Sequence, residues 1–285
     1  MMELIAESTP CYSLKLTLAM LSRYSPPALD RVEDEAYARA FLCRGGAELA
    51  IVRQVRGSSF KIQCTSRSAA ELAARTLSFT LDLEGFYRSI RDPVLKAAAS
   101  RLRGLRVKTS PTAFEAIAES IVEQQISLRA AVKVKERLVK ALGEKLAYRG
   151  SVYYTFPSQE AVAAASVGEL RGLGLPKRRA ECLKRVAELQ LEDLPGKPPD
   201  LIVSELTEVK GVGEWTAKLA AARMGRLTVL PASDLGLRKA VGALYLGRLA
   251  SRREVEEIAE GWGSLKALAA FYLIAYWMGG GHGLQ

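Results

Sequence analysis

The first eighty or so residues of the chain mix the hydrophobic periods of strands and of helices. Apolar and polar residues alternate over residues 14–18 and 49–55, and residues 59–65 (SFKIQCT) follow a Gly-Ser turn, so all three segments are typical of strands. Residues 31–41 and 68–83 instead have patterns that favour helices. This part of the sequence therefore predicts a small α+β domain with an antiparallel sheet.

From residue 83 onward the hydrophobic period is helical almost everywhere. Phe114, Ile117 and Ile121, for example, are spaced to share one face of a helix. Further helices are predicted over residues 83–89, 93–102, 130–142, 158–165, 167–173, 177–189, 199–206, 214–224, 234–246, 252–261 and 264–277. The predicted fold is mainly α, with the α+β domain over residues 1–82 in front of an all-helical region over residues 83–285.

The charge of the chain is positive and unevenly distributed. There are 41 Lys and Arg residues against 31 Asp and Glu, a formal net charge of +10. Residues 1–90 contain 11 basic and 10 acidic side chains, whereas residues 91–285 contain 30 and 21. A basic surface attracts polyanions because each neutralised phosphate releases counterions. The helical region is thus the part expected to bind a nucleic acid, although many soluble proteins are simply basic.

Several kinds of site and location are excluded by what the sequence lacks. Cysteines are too far apart for a thiolate metal site or a redox pair, at Cys11, Cys43, Cys64 and Cys182. The single histidine, His282, leaves no material for a histidine metal site or a Ser/His/Asp triad. Residues 267–278 form the longest apolar run, too short for a membrane span of about 20 residues. A buried helix, no membrane association and a cytoplasmic location are expected.

The segment LTEVKGVGEWTAKLAAA, residues 206–222, predicts two helices joined by a tight turn. Gly211 and Gly213 flank one apolar residue, and positive φ at both glycines would let the chain reverse and approach a partner closely. Backbone N–H groups at the start of the second helix would then suit a phosphate. Lys210, Thr216 and Lys218 lie near enough to add charge or a hydroxyl. An ordinary turn between two helices would explain the glycines equally well.

A carboxylate follows this hairpin in the segment LPASDLGL. Asp234 opens a helix, and the simplest role for an aspartate there is an N-cap, which contributes about 1 kcal/mol. Ser233 could take that role instead. A carboxylate could also stabilise positive charge on a sugar. Local sequence favours the cap, and the two roles are compatible because each oxygen can serve one of them.

Together, the hairpin pattern and the downstream aspartate resemble the helix-hairpin-helix DNA glycosylase superfamily. That resemblance implies a cleft for DNA and a flipped base between helical subdomains, with the hairpin gripping a DNA strand and Asp234 as the catalytic carboxylate. The segment from Phe114 to Ser127, ending in EQQIS, is also similar to a family helix, and there Gln125 matches the residue that fills the gap left by a flipped base. A basic segment containing Lys177 and Arg178 implies further DNA contacts.

Trp215 distinguishes between subclasses of this superfamily. Bifunctional glycosylase/lyases have a Schiff-base lysine at the matching position, two residues after the second hairpin glycine, so the resemblance implies a monofunctional enzyme. GxGxWTA is similar to the 3-methyladenine DNA glycosylase II family, in which this tryptophan faces the base pocket. An indole face suits a cationic alkylated purine. Tyr276 and Trp277 are expected to line the same pocket.

Three functions remain open at this point. The first is a monofunctional glycosylase for alkylated purines, acting as a monomer on double-stranded DNA that contains a damaged base. The second is the same fold acting on hypoxanthine or an oxidised purine, and the third is a non-catalytic DNA-binding protein in which Asp234 is only a cap. None requires a redox cofactor or a catalytic metal. The hairpin carbonyls could hold a structural monovalent cation, as in related enzymes.

Overall fold

An antiparallel five-stranded sheet begins the chain in the computed structural model, which describes residues 1–279. Its strands are β1 (Met2–Glu7), β2 (Arg31–Glu33), β3 (Ala36–Cys43), β4 (Gly46–Arg56) and β5 (Ser59–Cys64), in the spatial order β1-β5-β4-β3-β2. The strands predicted within β4 and β5 are confirmed. In β5, Phe60, Ile62 and Cys64 are buried in alternation with half-buried neighbours, the period of a strand with one face on a core.

Two helices, α1 (Leu14–Tyr24) and α2 (Arg67–Thr76), pack on the face of the sheet that carries Phe60 and Ile62. The prediction of a strand over residues 14–18 is wrong, because α1 begins there. Leu14, Leu18 and Leu21 are all buried, and their i, i+4, i+7 spacing fits one face of a helix, whereas Leu21 does not continue the alternation of residues 14–18. Ser13 stabilises the start of the helix as its N-cap, since its hydroxyl accepts from the backbone N–H of Leu16 at 3.3 Å.

The helix predicted over residues 31–41 is also wrong, because this segment forms β2, a two-residue turn and most of β3. Asp34 and Glu35 have φ values of +48° and +58°, the conformation of a type I′ hairpin turn without the usual glycine. Every residue from position 36 to position 41 is buried. A strand that is covered on both faces has no alternating pattern, which is why the sequence was compatible with a helix.

Helices dominate the rest of the chain, as predicted. They are α3 (Leu83–Ser89), α4 (Pro93–Arg101), α5 (Ala113–Val122), α6 (Leu128–Leu142), α7 (Gln159–Ala164), α8 (Val167–Gly172), α9 (Lys177–Ala187), α10 (Pro199–Thr207), α11 (Glu214–Arg223), α12 (Leu235–Val241), α13 (Arg252–Ile258) and α14 (Lys266–Met278). Most of their apolar side chains join one large core, with α5 at its centre: all ten α5 residues are buried.

The expectation of an all-helical region beyond residue 83 fails at one place. β6 (Lys145–Tyr148) and β7 (Ser151–Tyr154) form a hairpin whose turn, Arg149-Gly150, has positive φ at both residues. Tyr153 of this hairpin packs with Ala38, Ala40 and Leu49 on the second face of the large sheet. A four-residue strand is too short to establish a period in the sequence, and this hairpin is held by its contact with a distant sheet.

Eight charged side chains, none more than 15% exposed, form a buried charge network around α5. Its members are Asp30, Arg39, Lys108, Glu115, Glu119, Glu123, Lys135 and Arg223. Four are cationic and four anionic, so the network is neutral as a whole. Its ion pairs join the N-terminal sheet, through Arg39 of β3, to the last residue of α11, Arg223.

Glu119 lies at the middle of this network. Burial opposes ionisation of its carboxyl group, but the nearby cations Lys108, Lys135 and Arg223 outweigh burial and lower the pKa to about 2. Removing one partner of a buried ion pair leaves an uncompensated charge, which destabilises a protein by about 3–5 kcal/mol. The network therefore holds α5 in place only as long as it is complete.

We expect Glu119→Gln to lower the free energy of unfolding by about 3–5 kcal/mol at pH 7. A folded pKa near 2, below the ordinary 4.5, gives a stabilisation that is present above pH 4.5 and is lost as the pH falls toward 2. The difference in the free energy of unfolding between wild type and variant should therefore narrow as the pH falls through that range, as measured by urea unfolding. The control is Glu71→Gln, in an exposed pair with Arg67, expected to change stability by at most about 0.5 kcal/mol. A difference that stays constant with pH would contradict this account.

Candidate active site

The predicted hairpin is formed by α10, α11 and the tight turn between them. Gly211 has φ +102°, and a Cβ atom there would lie 2.9 Å from the Sγ of Cys182, so both the conformation and the space require glycine. Val212 is buried and anchors the turn in the core. Gly213 has φ −92° and ψ 171°, so the prediction of positive φ is wrong for this residue. A Cβ atom at Gly213 would meet nothing within 4 Å, which leaves this side of the turn open to a partner.

Helix α11 begins directly after this open side. Gly213 is its N-cap and makes no side-chain cap bond. The backbone N–H groups of the first turn are therefore left for an external acceptor, and the helix dipole favours an anionic one. Lys210 is exposed on the same turn. These features suit an anion and are compatible with the phosphate contact that the sequence predicts.

Two residues expected to contact DNA from α11 are otherwise engaged. Thr216 is 2% exposed, and its hydroxyl accepts a hydrogen bond from Nε2 of Gln124 at 3.0 Å. That placement does not fit a direct contact between its hydroxyl and DNA. Lys218 is half-buried and forms an ion pair with Glu214 at 2.7 Å, and Glu214 also binds Arg252. Its charge is largely balanced within the protein.

Asp234 and Trp215, which the resemblance assigns to one site, are joined by a hydrogen bond that the sequence did not indicate. Asp234 caps α12: its Oδ1 accepts from the backbone N–H of Leu237 at 2.8 Å. Its second oxygen, Oδ2, accepts from the indole Nε1 of Trp215 at 3.0 Å. The adjacent Ser233 is exposed and is not the cap. The carboxylate is thus oriented by donors from two helices, and it remains partly open to solvent.

The turn after α5 carries Gln125, the residue matched to the gap-filling position. Gln125 is exposed and has φ +50°, a left-handed conformation that is uncommon for a residue other than glycine. The preceding residue, Gln124, donates from Nε2 to the carbonyl of Gly211 and to the hydroxyl of Thr216, both at 3.0 Å. Gln124 is a residue that sequence reasoning missed, because nothing in a local pattern shows which distant carbonyl an amide will reach.

The basic segment that opens α9 divides into two roles. Lys177 and Arg178 are exposed, and the side chain of Lys177 lies 3.9 Å from that of Glu181. Arg179, the third member of this basic run, turns inward and donates to the backbone carbonyl of Val122 at 3.1 Å. Only the first two residues are therefore placed to meet a partner in solution.

Tyr276 and Trp277 lie near the end of α14, and both are half-buried. Helix α14 packs against α12, the helix that Asp234 caps. Within residues 1–279, neither side chain makes a hydrogen bond or a ring contact with Trp215 or Asp234. The structure therefore joins one of the three predicted pocket aromatics, Trp215, to the carboxylate and does not join the other two.

The hairpin carbonyls and the acidic, cysteine and histidine side chains are the groups that could hold a metal or other cation. Within residues 1–279, no group of three or more His, Cys, Asp or Glu side chains is arranged to hold a metal ion. His282 lies outside the described residues. At the hairpin, the carbonyl of Gly211 accepts from Gln124 and that of Lys210 accepts from the guanidinium of Arg185. A guanidinium at one of these carbonyls does not favour a monovalent cation there. Each helix in the described part of the chain is too short or too polar to cross a membrane.

Comparisons with known proteins find relatives of similar sequence. The chain is 31% identical to a DNA-3-methyladenine glycosylase of Bacillus subtilis, over 67% of this chain and 66% of that protein. It is 32% identical to a probable bifunctional transcriptional activator/DNA repair enzyme AlkA of Mycobacterium tuberculosis, over 72% of this chain and 42% of that protein. The chain therefore spans just under two thirds of the first relative and less than half of the second.

A solved structure is similar over nearly the whole chain. The 3-methyladenine DNA-glycosylase from Archaeoglobus fulgidus has a TM-score of 0.88 and 30% identity, covering 96% of this chain and 97% of that one. A family model for HhH-GPD superfamily base excision DNA repair proteins matches residues 118–264, which include the Gln125 turn, the hairpin and Asp234. The chain belongs to the HhH-GPD superfamily of base excision DNA repair proteins.

Proposed function

We propose that this protein is a monofunctional DNA glycosylase that hydrolyses the N-glycosidic bond of alkylated purines, of the 3-methyladenine and 7-methylguanine type, in base excision repair. The observation that carries the proposal is the carboxylate of Asp234, oriented by Leu237 and Trp215 after a hairpin with free N–H groups. A helix cap alone would not need the second donor. The names of the relatives, two of them 3-methyladenine glycosylases, support the same substrate class.

DNA binding would rest on the hairpin. The free N–H groups at the start of α11 and the exposed Lys210 suit a backbone phosphate. Lys177 and Arg178 extend the basic surface along α9. Contacts of this kind position a duplex without reading its sequence, as a repair enzyme that must act at any position requires.

Asp234 would act on the sugar of the damaged nucleotide. Cleavage of the N-glycosidic bond develops positive charge in an oxocarbenium-like transition state, which a fixed carboxylate stabilises. Each carboxylate oxygen of Asp234 accepts one described hydrogen bond and retains acceptor capacity for the sugar or for the attacking water. Because both donors hold the group before substrate binds, little reorganisation is needed during the reaction.

The choice of base would depend on Trp215. Its indole N–H is committed to Asp234, so the part of the ring left for a base is its face. A π-face attracts a cationic ring, and an alkylated purine that carries positive charge is also a better leaving group. These two properties favour alkylated purines and remove the need for a second carboxylic acid.

The absence of lyase activity is part of the proposal. A lyase of this superfamily needs an amine at the position that Trp215 occupies, to form a Schiff base with the sugar. The nearest lysine along α11, Lys218, lies one turn further on and is paired with Glu214. Hydrolysis should therefore end at an intact abasic strand.

We expect the wild-type protein to release free 3-methyladenine and 7-methylguanine from duplexes, leaving strands that break only after alkali treatment. Parallel duplexes with hypoxanthine or 8-oxoguanine test the other lesion classes, and borohydride tests for a Schiff base. Release of alkylated bases without a borohydride-trapped complex is the expected result. Strand cleavage before alkali would contradict the monofunctional assignment, and binding without release of any base would favour a non-catalytic DNA-binding protein.

Replacing Trp215 with Phe should separate its two roles. Phe keeps an aromatic face but has no N–H for Asp234, and a hydrogen bond to a charged group contributes about 1.5–3 kcal/mol. We expect Trp215→Phe to slow single-turnover excision of 7-methylguanine by about 10-fold or more, with affinity for the lesion duplex changed by no more than about threefold. Trp215→Ala, which also removes the aromatic face, should lower both the excision rate and the affinity for the lesion duplex. A Trp215→Phe protein that excises at the wild-type rate would show that the indole N–H has no separate role.

A further inference from the structure

The turn that carries Gln125 is held in its strained conformation by the residues just before it. The carbonyl of Val122 accepts from Arg179 of α9 at 3.1 Å. Glu123 binds Lys135 of α6 at 2.9 Å and Arg223 of α11 at 2.7 Å. A left-handed residue other than glycine persists only where its surroundings determine it. Here three surrounding helices supply that constraint.

Gln124 makes the last and most specific of these contacts. Both hydrogens of its side-chain amide are used, one on the carbonyl of Gly211 and the other on the hydroxyl of Thr216. Gly211 has the positive φ that reverses the hairpin, and Thr216 lies in the first turn of α11. The amide therefore spans the hairpin turn from one end to the other.

This contact gives a reason for the burial of Thr216. Its hydroxyl faces Gln124 rather than solvent, so it joins the hairpin to the turn after α5 instead of contacting a phosphate. The same two hydrogen bonds fix the position of Gln125, one residue along, relative to the N–H groups that begin α11. A shift of the hairpin would therefore be transmitted directly to Gln125.

We propose that Gln124 is a positioning residue that couples the two contacts of this site with DNA, the hairpin on the strand and Gln125 in the gap left by the flipped base. The inference rests on the proposed function, because it takes Gln125 as the gap-filling residue. Gln124 itself touches neither substrate nor the reacting atoms. Its effect is to keep Gln125 at the correct distance from the gripped phosphate, so that gripping and gap filling occur together.

A double-mutant cycle in binding tests this coupling. The full-length protein is compared with Gln124→Met, Gln125→Ala and the double variant, on an undamaged duplex and on one with a tetrahydrofuran abasic-site analogue. Met preserves the length of Gln but has no N–H. Gln159→Met is the matched control, since Gln159 of α7 also donates its amide to a backbone carbonyl, that of Leu189.

We expect Gln124→Met and Gln125→Ala each to reduce the preference for the abasic duplex over the undamaged one by about tenfold. The first variant loses the hydrogen bonds that position Gln125 and the second loses the Gln125 side chain, so both lose the same contact with the gap. The double variant should lose little more than either single variant. Gln159→Met should stay within about twofold of wild type. Thermal melting of each variant is measured alongside.

Three results would overturn the coupling. The first is a wild-type protein that shows no preference for the abasic duplex. The second is a double variant whose loss of preference equals the product of the losses in the two single variants, which would make the two residues independent. The third is a Gln124→Met protein that melts at a lower temperature but keeps its preference, which would make Gln124 merely structural. Excision of 7-methylguanine by wild type is scored separately. Its absence would refute the proposed function, whereas the binding cycle would still decide the role of Gln124.

Discussion

The carboxylate of Asp234 has two fixed donors, the backbone N–H of Leu237 and the indole N–H of Trp215, and the rest of the site depends on this arrangement. Trp215 can reach Asp234 only because α11 begins immediately after the hairpin turn, which in turn needs glycine at position 211 beside Cys182. The helix that would bind a phosphate therefore also orients the carboxylate. In the proposed function, strand binding and the orientation of the carboxylate both depend on α11.

Helix α11 is held at its other end by the buried charge network. Arg223 binds Glu123, which directly precedes Gln124 and Gln125 in the chain and also binds Lys135. Charged side chains are costly to bury and stabilise a fold only when every partner is present. What such a network offers is a defined geometry, since its members satisfy one another in one arrangement. In this protein it links the N-terminal sheet, the fully buried α5, the Gln125 turn and the hairpin helix.

Local signals in the sequence were sufficient to predict the hairpin turn and the helix cap at Asp234. Gly211 is required by a turn that the flanking residues already indicate, and an aspartate before a helix is a recognisable cap. Such signals failed where tertiary contacts decide. Residues 36–41 are covered on both faces, so their pattern did not distinguish a strand from a helix. The β6–β7 hairpin depends on a sheet about one hundred residues away in the chain.

The same limit applies to two expectations within the site. Gly213 was expected to need positive φ, yet its φ is negative and its backbone is extended. Thr216 was expected to add its hydroxyl to the contacts with DNA, but that hydroxyl accepts from a glutamine about ninety residues earlier in the chain. Neither this contact nor the hydrogen bond from Trp215 to Asp234 leaves a periodic trace in the sequence. Spacing predicts which residues belong to a site, whereas their hydrogen bonds follow from packing between distant elements.

The most direct test of this account compares two aspartates that both cap helices. Asp82 caps α3 by accepting from Gly85 at 2.9 Å, as Asp234 caps α12, but it has no tryptophan donor among its described hydrogen bonds. Asn can replace either cap at a loss of at most about 1 kcal/mol. We expect Asp234→Asn to slow single-turnover excision of 7-methylguanine by at least about 100-fold while still binding the duplex, and Asp82→Asn to excise at the wild-type rate. If Asp234→Asn keeps its excision rate within about threefold of wild type, Asp234 is a helix cap and not the catalytic carboxylate.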